Sequence, residues 1–241
     1  MNKAIRLLVT TMNQNIHPTL EYFSQYAHEW CTVHISHQIT DWSDILLPEM
    51  LDQEWVHYYP SFEKWLSRSR NILLNHVEDG IGLICDDDIQ LVPWFENILR
   101  QAYDTYPDAA VVTLQTQTPE WWLRKRYRKA TKKHSQISIL WVSSIEISFD
   151  IAELQKQQIR FDENFGLWTP HPGGEENIFL QECLDKWMNC MYYPAAVSIH
   201  PQDSSNTTID WTQKRILFRR MHGWFFWILL VLALFLKKLL N

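Results

Sequence analysis

No two of the four cysteines, Cys31, Cys85, Cys183 and Cys190, have CxxC spacing, and each sits among apolar neighbours. There is thus no sign of a zinc knuckle or a disulfide framework, and a reducing, cytoplasmic setting is the default. The N-terminus, MNKAIRLLVTT, lacks the long apolar stretch of a signal peptide and runs straight into a strand-like segment. Residues 10–20 contain no Gly, Lys or Arg, so they offer no glycine-rich basic phosphate loop. No internal repeat occurs. Acid is absent from two stretches: 121–134 (WWLRKRYRKATKKH), with seven Lys/Arg, and 211–241, with six. Setting those thirteen of the twenty-two basic residues aside leaves nine against twenty-eight acidic ones, a net −19 for the rest of the chain.

That contrast matters more than the overall −6. An acidic body with two cationic, aromatic-rich segments fits an anionic surface met in one orientation, here a membrane contacted through 121–134 and 214–240. The competing reading is that basic runs are solvated faces. Thirteen tryptophans add weight to the membrane, because indoles suit interfaces and sugar-stacking surfaces. At 241 residues and 46% apolar content, the chain has material for one large α/β domain with a short appendage. The division expected is 1–210 as the domain and 211–241 as a membrane-associating tail.

Hydrophobic patterning gives the order of elements. Strands are expected at 4–11, 31–36, 81–85, 109–114, 137–142, 189–193 and 195–199. Helices are expected at 19–29, at 61–77 with Ser61 as N-cap, at 94–106 and from Glu175 to about Trp187. Residues 159–174 (IRFDENFGLWTPHPGG) read as a Gly/Pro-punctuated loop. Wholly apolar strands alternating with helices indicate a mostly parallel, Rossmann-like sheet covered on both faces, with its ligand outside the strands' carboxyl ends. The uncharged run Gly223–Leu236 is fourteen residues long and flanked by Arg219, Arg220, Lys237 and Lys238. As a helix it would measure about 21 Å against a hydrocarbon core of about 30 Å, so it is expected to lie in one leaflet rather than span it. A buried C-terminal core helix is the alternative.

Three features carry chemistry. The first is Asp86-Asp87-Asp88, directly after the apolar run IGLIC. Adjacent carboxylates repel one another, and a divalent cation removes that cost. Mn2+ or Mg2+ needs only one or two protein carboxylates, with substrate phosphates and water completing the shell. Strand alternation puts Asp86 and Asp88 on one side and Asp87 on the other. Acidic triplets also occur in exposed loops and calcium sites. The second is Gly173-Gly174-Glu175-Glu176. Glycines let backbone approach a ligand, and a carboxylate in a first helical turn is held ionised by the helix dipole, as a general base requires. Ordinary capping explains the same glutamates. The third is His200, after the strand-like AAVSI, a candidate third metal ligand.

In order along the chain come TTMNQ, SRSRN, LICDDDI, SSIEISF, FDENFG, GGEENIFL and SIHPQDSS. Together, over about residues 4–206, they resemble the family-2 glycosyltransferases of GT-A fold, especially short bacterial members of polysaccharide or glycan-assembly pathways. The resemblance implies Asp88 as direct metal ligand, Asp86 near the metal or ribose with Asp87 between them, and His200 near the metal and diphosphate. It implies Glu176 as the base that deprotonates the acceptor hydroxyl, with Glu175 beside the acceptor. Thr10, Thr11, Arg70 and Asn71 stand where the family holds the nucleotide. Two departures are visible: His34–Gln38 replaces the usual acid after the second strand, and the final acid of the ED motif is Glu.

The expected activity is inverting, metal-dependent transfer from a nucleoside-diphosphate sugar to a glycan or lipid-linked acceptor at the cytoplasmic face of the cell membrane, with no nucleic acid involved. An inactive membrane-bound scaffold of the same fold is one alternative. A nucleotidyltransferase is another, disfavoured by the missing phosphate loop.

Overall fold

The computed structural model describes residues 3–41, 53–201 and 212–223. The chain opens with strand β1 (Ile5–Met12), whose apolar residues are almost all buried, and turns into helix α1 (Ile16–Ser24). The helix begins earlier than expected: Pro18 lies in its first turn, where a missing N–H costs nothing. Next come β2 (Cys31–Gln38), β3 (Val56–Ser61) and α2 (Leu66–Asn75). Ser61 therefore ends a strand rather than capping a helix. The chain continues with β4 (Ile81–Asp86), β5 (Gln90–Leu91), α3 (Phe95–Thr105), β6 (Val111–Gln117) and β7 (Lys132–Lys133). It finishes with β8 (Ile147–Asp150), α4 (Ile151–Lys156), α5 (Glu175–Asp185), β9 (Cys190–Ile199) and a helix, α6, over residues 212–223.

All nine strands join one sheet in the order β3-β2-β1-β4-β8-β6-β9-β5, with β7 also on β9. The sheet is mixed rather than mostly parallel. β3, β2, β1 and β4 run parallel, and so do β6 and β9. β8 is antiparallel to both β4 and β6 and knits the two parallel parts together. The segment ISILWV, expected as a strand, is instead a 3-10 turn at Ser138–Trp141, with Ile137 and Trp141 facing solvent. The two short strands expected at 189–199 are one strand with an irregular register beside β6.

Helices cover both faces, giving three layers. One core joins α1 and α3 to the sheet through Leu20, Phe23, Phe95 and Leu99. The other joins α2, α4, α5 and α6 through Leu73, Leu154, Phe179 and Leu217. Because β1 and β4 pair in parallel with Thr10 abreast of Asp86, their carboxyl ends deliver threonines and aspartates to the same edge. The apolar run after Gly223 lies outside the described residues; among those described, no helix is long and apolar enough to cross a membrane.

Close packing at the centre gives a direct test. Gly82 in β4 lies against the ring of Phe149, and a Cβ there would sit 2.5 Å from Cε2. Phe149 is fully buried and packs against Phe179, so it has little room to yield. Gly82→Ala is expected to destabilise the fold by about 1–3 kcal/mol, read as a lower urea midpoint at unchanged slope.

Candidate active site

The carboxyl ends of β1, β2 and β4, the start of α5 and the end of β9 surround a cleft of about 550 Å³. Thr10, Thr11, Arg70, Asp86, Asp87, Asp88, Glu175, Glu176 and His200 all line it. Of the residues selected from the sequence, Asn71 alone stands elsewhere. Its side chain donates to the carbonyl of Phe161 and to Glu163 and accepts from the Phe161 amide, tying α2 to the 159–174 loop.

The three aspartates have three different environments. Asp86 ends β4, and its Oδ1 accepts from Arg70 at 3.0 Å. Asp87 lies in the turn just past the strand, where strand alternation no longer governs it, and accepts from Thr11 Oγ1 at 2.8 Å and Asn15 Nδ2 at 3.2 Å. Burial raises the Asp87 carboxyl, only partly offset by those two donors. Asp88 has a side chain 60% exposed and lies 3.2 Å from His200 Nε2. The hydrogen bond with His200 holds Asp88 below the usual carboxylate range, and the same bond raises His200.

Arg70 organises the other side. It is 2% exposed and gives 2.8 Å to Glu175 Oε1 as well as its bond to Asp86. Burial pulls the guanidinium down, but Asp86 and Glu175 outweigh it and keep the charge in place. Its Nε is buried without a partner. Glu176 keeps part of its surface open to the cleft. Burial first, and the neighbouring Glu175 second, raise its carboxyl well above the usual glutamate range. This reverses the expectation that the helix dipole would favour the ionised form. A dipole effect of about 0.3–1 kcal/mol is too small against desolvation and a like charge.

Gly173 and Gly174 both line the cleft. Gly174 adopts φ +84 as the cap residue of α5, and a Cβ there would strike Leu217 at 2.7 Å, so its bareness also admits α6.

A divalent cation fits part of this arrangement. Asp88 and His200 place a carboxylate and an imidazole side by side in the cleft, and both contacts made to Asp86 fall on Oδ1. His200 Nδ1 donates to the Pro201 carbonyl at 2.7 Å, so Nε2 is the nitrogen a metal would take, in exchange for its bond to Asp88. Asp86, Asp88 and His200 do not bring three ligand atoms within 4.8 Å of one another, so substrate oxygens or side-chain movement must complete a shell. Among the described residues, only His28, Cys31 and Glu96 converge that closely, at the opposite end of β2. There the Trp30 amide donates to His28 Nδ1, leaving the ring proton on Nε2, which bonds Glu96 at 3.0 Å. That is a hydrogen-bonded pair beside a buried thiol, not a set of open lone pairs.

Sequence reasoning missed Asn15, Gln38, Arg124, Ser143, Ser144 and Trp168, all of which line the cleft. Gln38 ends β2, where the resemblance would place an acid, and its Oε1 is buried with no partner. Arg124 reads in sequence as one more cation of the basic stretch. Only the fold brings it beside Asp88 and His200.

No protein-family model and no curated protein sequence matches the chain. Solved structures do. S. aureus TarS 1-349 superposes with a TM-score of 0.65 at 13% identity, covering 90% of this chain and 64% of that one. Its complex with UDP-GlcNAc gives 0.64 at 12% identity, covering 90% and 66%. A complex of the same protein with UDP gives 0.63 at 13% identity, covering 90% and 64%. The chain thus spans just under two thirds of the length of these structures. The likeness shows the fold, a GT-A-like α/β domain built around one large central sheet.

Proposed function

We propose that the protein is a nucleotide-sugar glycosyltransferase working in this cleft. The observation that carries the reading is the convergence of Asp86–Asp88, Glu175, Glu176 and His200, from three distant parts of the chain, on one open pocket at the strands' carboxyl ends. The TarS complexes with UDP and UDP-GlcNAc support a nucleoside-diphosphate sugar as donor. Resemblance to family-2 enzymes supports transfer with inversion to a glycan or lipid-linked acceptor at the cytoplasmic face of a membrane.

The chain's own residues divide the work. Thr10, Thr11 and the buried Gln38 amide lie where a nucleotide would be held. Arg124 puts positive charge near Asp88, where a diphosphate leaving group gains negative charge. Asp88 and His200, with Asp86 beside them in the cleft, would hold Mn2+ or Mg2+, which would supply Lewis-acid neutralisation of the diphosphate. Glu176 takes the proton of the acceptor hydroxyl as its oxygen bonds to the anomeric carbon, and the bond to the diphosphate oxygen breaks on the opposite face. A carboxyl raised above the usual glutamate range is the stronger base towards a hydroxyl proton. Arg70 fixes Glu175 against Asp86 and so sets the distance between base and leaving-group side.

Glu176→Gln removes the proton acceptor at nearly constant shape, so acceptor-dependent transfer should fall by about 10²–10⁴-fold while nucleotide-sugar binding and melting temperature hold. Metal-dependent hydrolysis of UDP-GlcNAc and other nucleotide sugars by purified protein is the companion assay, and its complete absence would favour an inactive scaffold. The rate should also rise with pH as Glu176 loses its proton, with a midpoint above the ordinary glutamate range. Glu175→Gln removes the like charge that helps raise Glu176, so this acid limb should move to lower pH. A limb that stays put would separate Glu176 from the rate.

A further inference from the structure

A second cavity, of about 520 Å³, lies behind the cleft and takes no part in the transfer chemistry. The wall between the two is one chain thick: Arg124 and Ser143 line the cleft, while their neighbours Lys125 and Val142 line this cavity. The few polar groups on its floor satisfy one another. Thr113 Oγ1 and His134 Nε2 lie 2.7 Å apart, and Glu146 accepts from Lys125 at 2.8 Å and from Tyr127 at 2.5 Å. Burial pushes His134 down to about 4, so the ring is neutral and the floor offers a ligand little charge.

The rim is the opposite. Arg126, Arg128, Lys132 and Lys133 are exposed around the opening, and none of their side chains has a hydrogen bond or ion pair among the described residues. Beside them Ile137 is 74% and Trp141 75% exposed, and Trp122 from the same basic stretch is 74% exposed. A monomer normally buries such residues or uses them. Four unpaired cations around a mostly apolar hollow, in a chain of net −6, fit an anion that carries an apolar tail. A free phosphate would leave Ile137 and Trp141 with no partner, and a nucleic-acid backbone would leave the hollow empty.

We propose that this cavity seats an anionic phospholipid of a membrane surface, with its phosphate on Arg126, Arg128, Lys132 and Lys133 and an acyl segment against Ile137 and Trp141. The seat deepens the membrane placement in the proposed function and rests on that part of it alone, not on the transfer chemistry. It would turn the cleft's neighbouring wall towards the bilayer.

The test uses the full chain with Ile137→Cys carrying a polarity-sensitive fluorophore; the four native cysteines are buried and should not label. Vesicles containing phosphatidylglycerol should shift the emission to the blue, and pure phosphatidylcholine vesicles or inorganic phosphate should not. A label at Trp30→Cys, beside β2 and four strands from β6, should report no change. Arg126→Ala with Arg128→Ala should weaken the vesicle response about thirtyfold, as expected for two surface cations. The seat is overturned by no shift at residue 137 while the protein sediments with vesicles, by an equal shift on neutral vesicles, or by a shift with a single-stranded oligonucleotide and none with lipid. Donor hydrolysis without a shift discards the lipid seat alone, and a shift without hydrolysis discards the transferase alone.

Discussion

Arg70 is a buried cation held between Asp86 on the sheet and Glu175 on α5, and this double ion pair fixes the cleft. Arg70 and Glu175 are buried and Asp86 is partly so, and such charges are tolerable out of water only while each has its partners. Removing one partner of such a group typically costs about 3–5 kcal/mol, because the remaining charge stays out of water. The pair joins elements far apart in sequence, so the strand that delivers the aspartates and the helix that delivers Glu176 cannot drift independently. It also explains why Glu176 differs from its neighbour. Glu175 has the guanidinium, and Glu176 is left beside that negative charge in a desolvated position.

The same logic separates the three aspartates. They are adjacent in sequence, yet one is tied to Arg70, one to Thr11 and Asn15, and one to His200. Each repulsion is relieved by a different partner. Only Asp88, the most exposed of them, is positioned to exchange its partner for an incoming cation or phosphate-bound ion.

Much of this was legible in the sequence. IGLIC ending at three aspartates pointed to β4 and to the cleft at its end, because five apolar residues are too few for a typical helix and stop abruptly at charge. GGEENIFL placed the start of α5 near Glu175, where the helix begins. What was not legible had identifiable causes. β3 (VHYYPS) is half-exposed with a proline, and its pattern is too weak against the helical periodicity that follows. β8 is only four residues, and its place between β4 and β6 is a tertiary fact. ISILWV has strand-like composition but folds as a 3-10 turn that exposes Trp141, so local propensity lost to its surroundings. The raised Glu176 depends on burial and on the neighbouring Glu175 in the folded site, which a spacing cannot reveal.

The central claim is that this cleft binds a nucleoside-diphosphate sugar through the Asp88–His200 side. Calorimetric titration of the full chain with UDP-GlcNAc, UDP-glucose and the corresponding guanosine and thymidine sugars, with and without manganese, tests it most directly. The account predicts saturable binding of at least one donor, strengthened by the metal and losing that metal dependence in Asp88→Asn. Absence of binding for every donor in both conditions, or binding equally strong with manganese omitted and with Asp88 replaced, would contradict it.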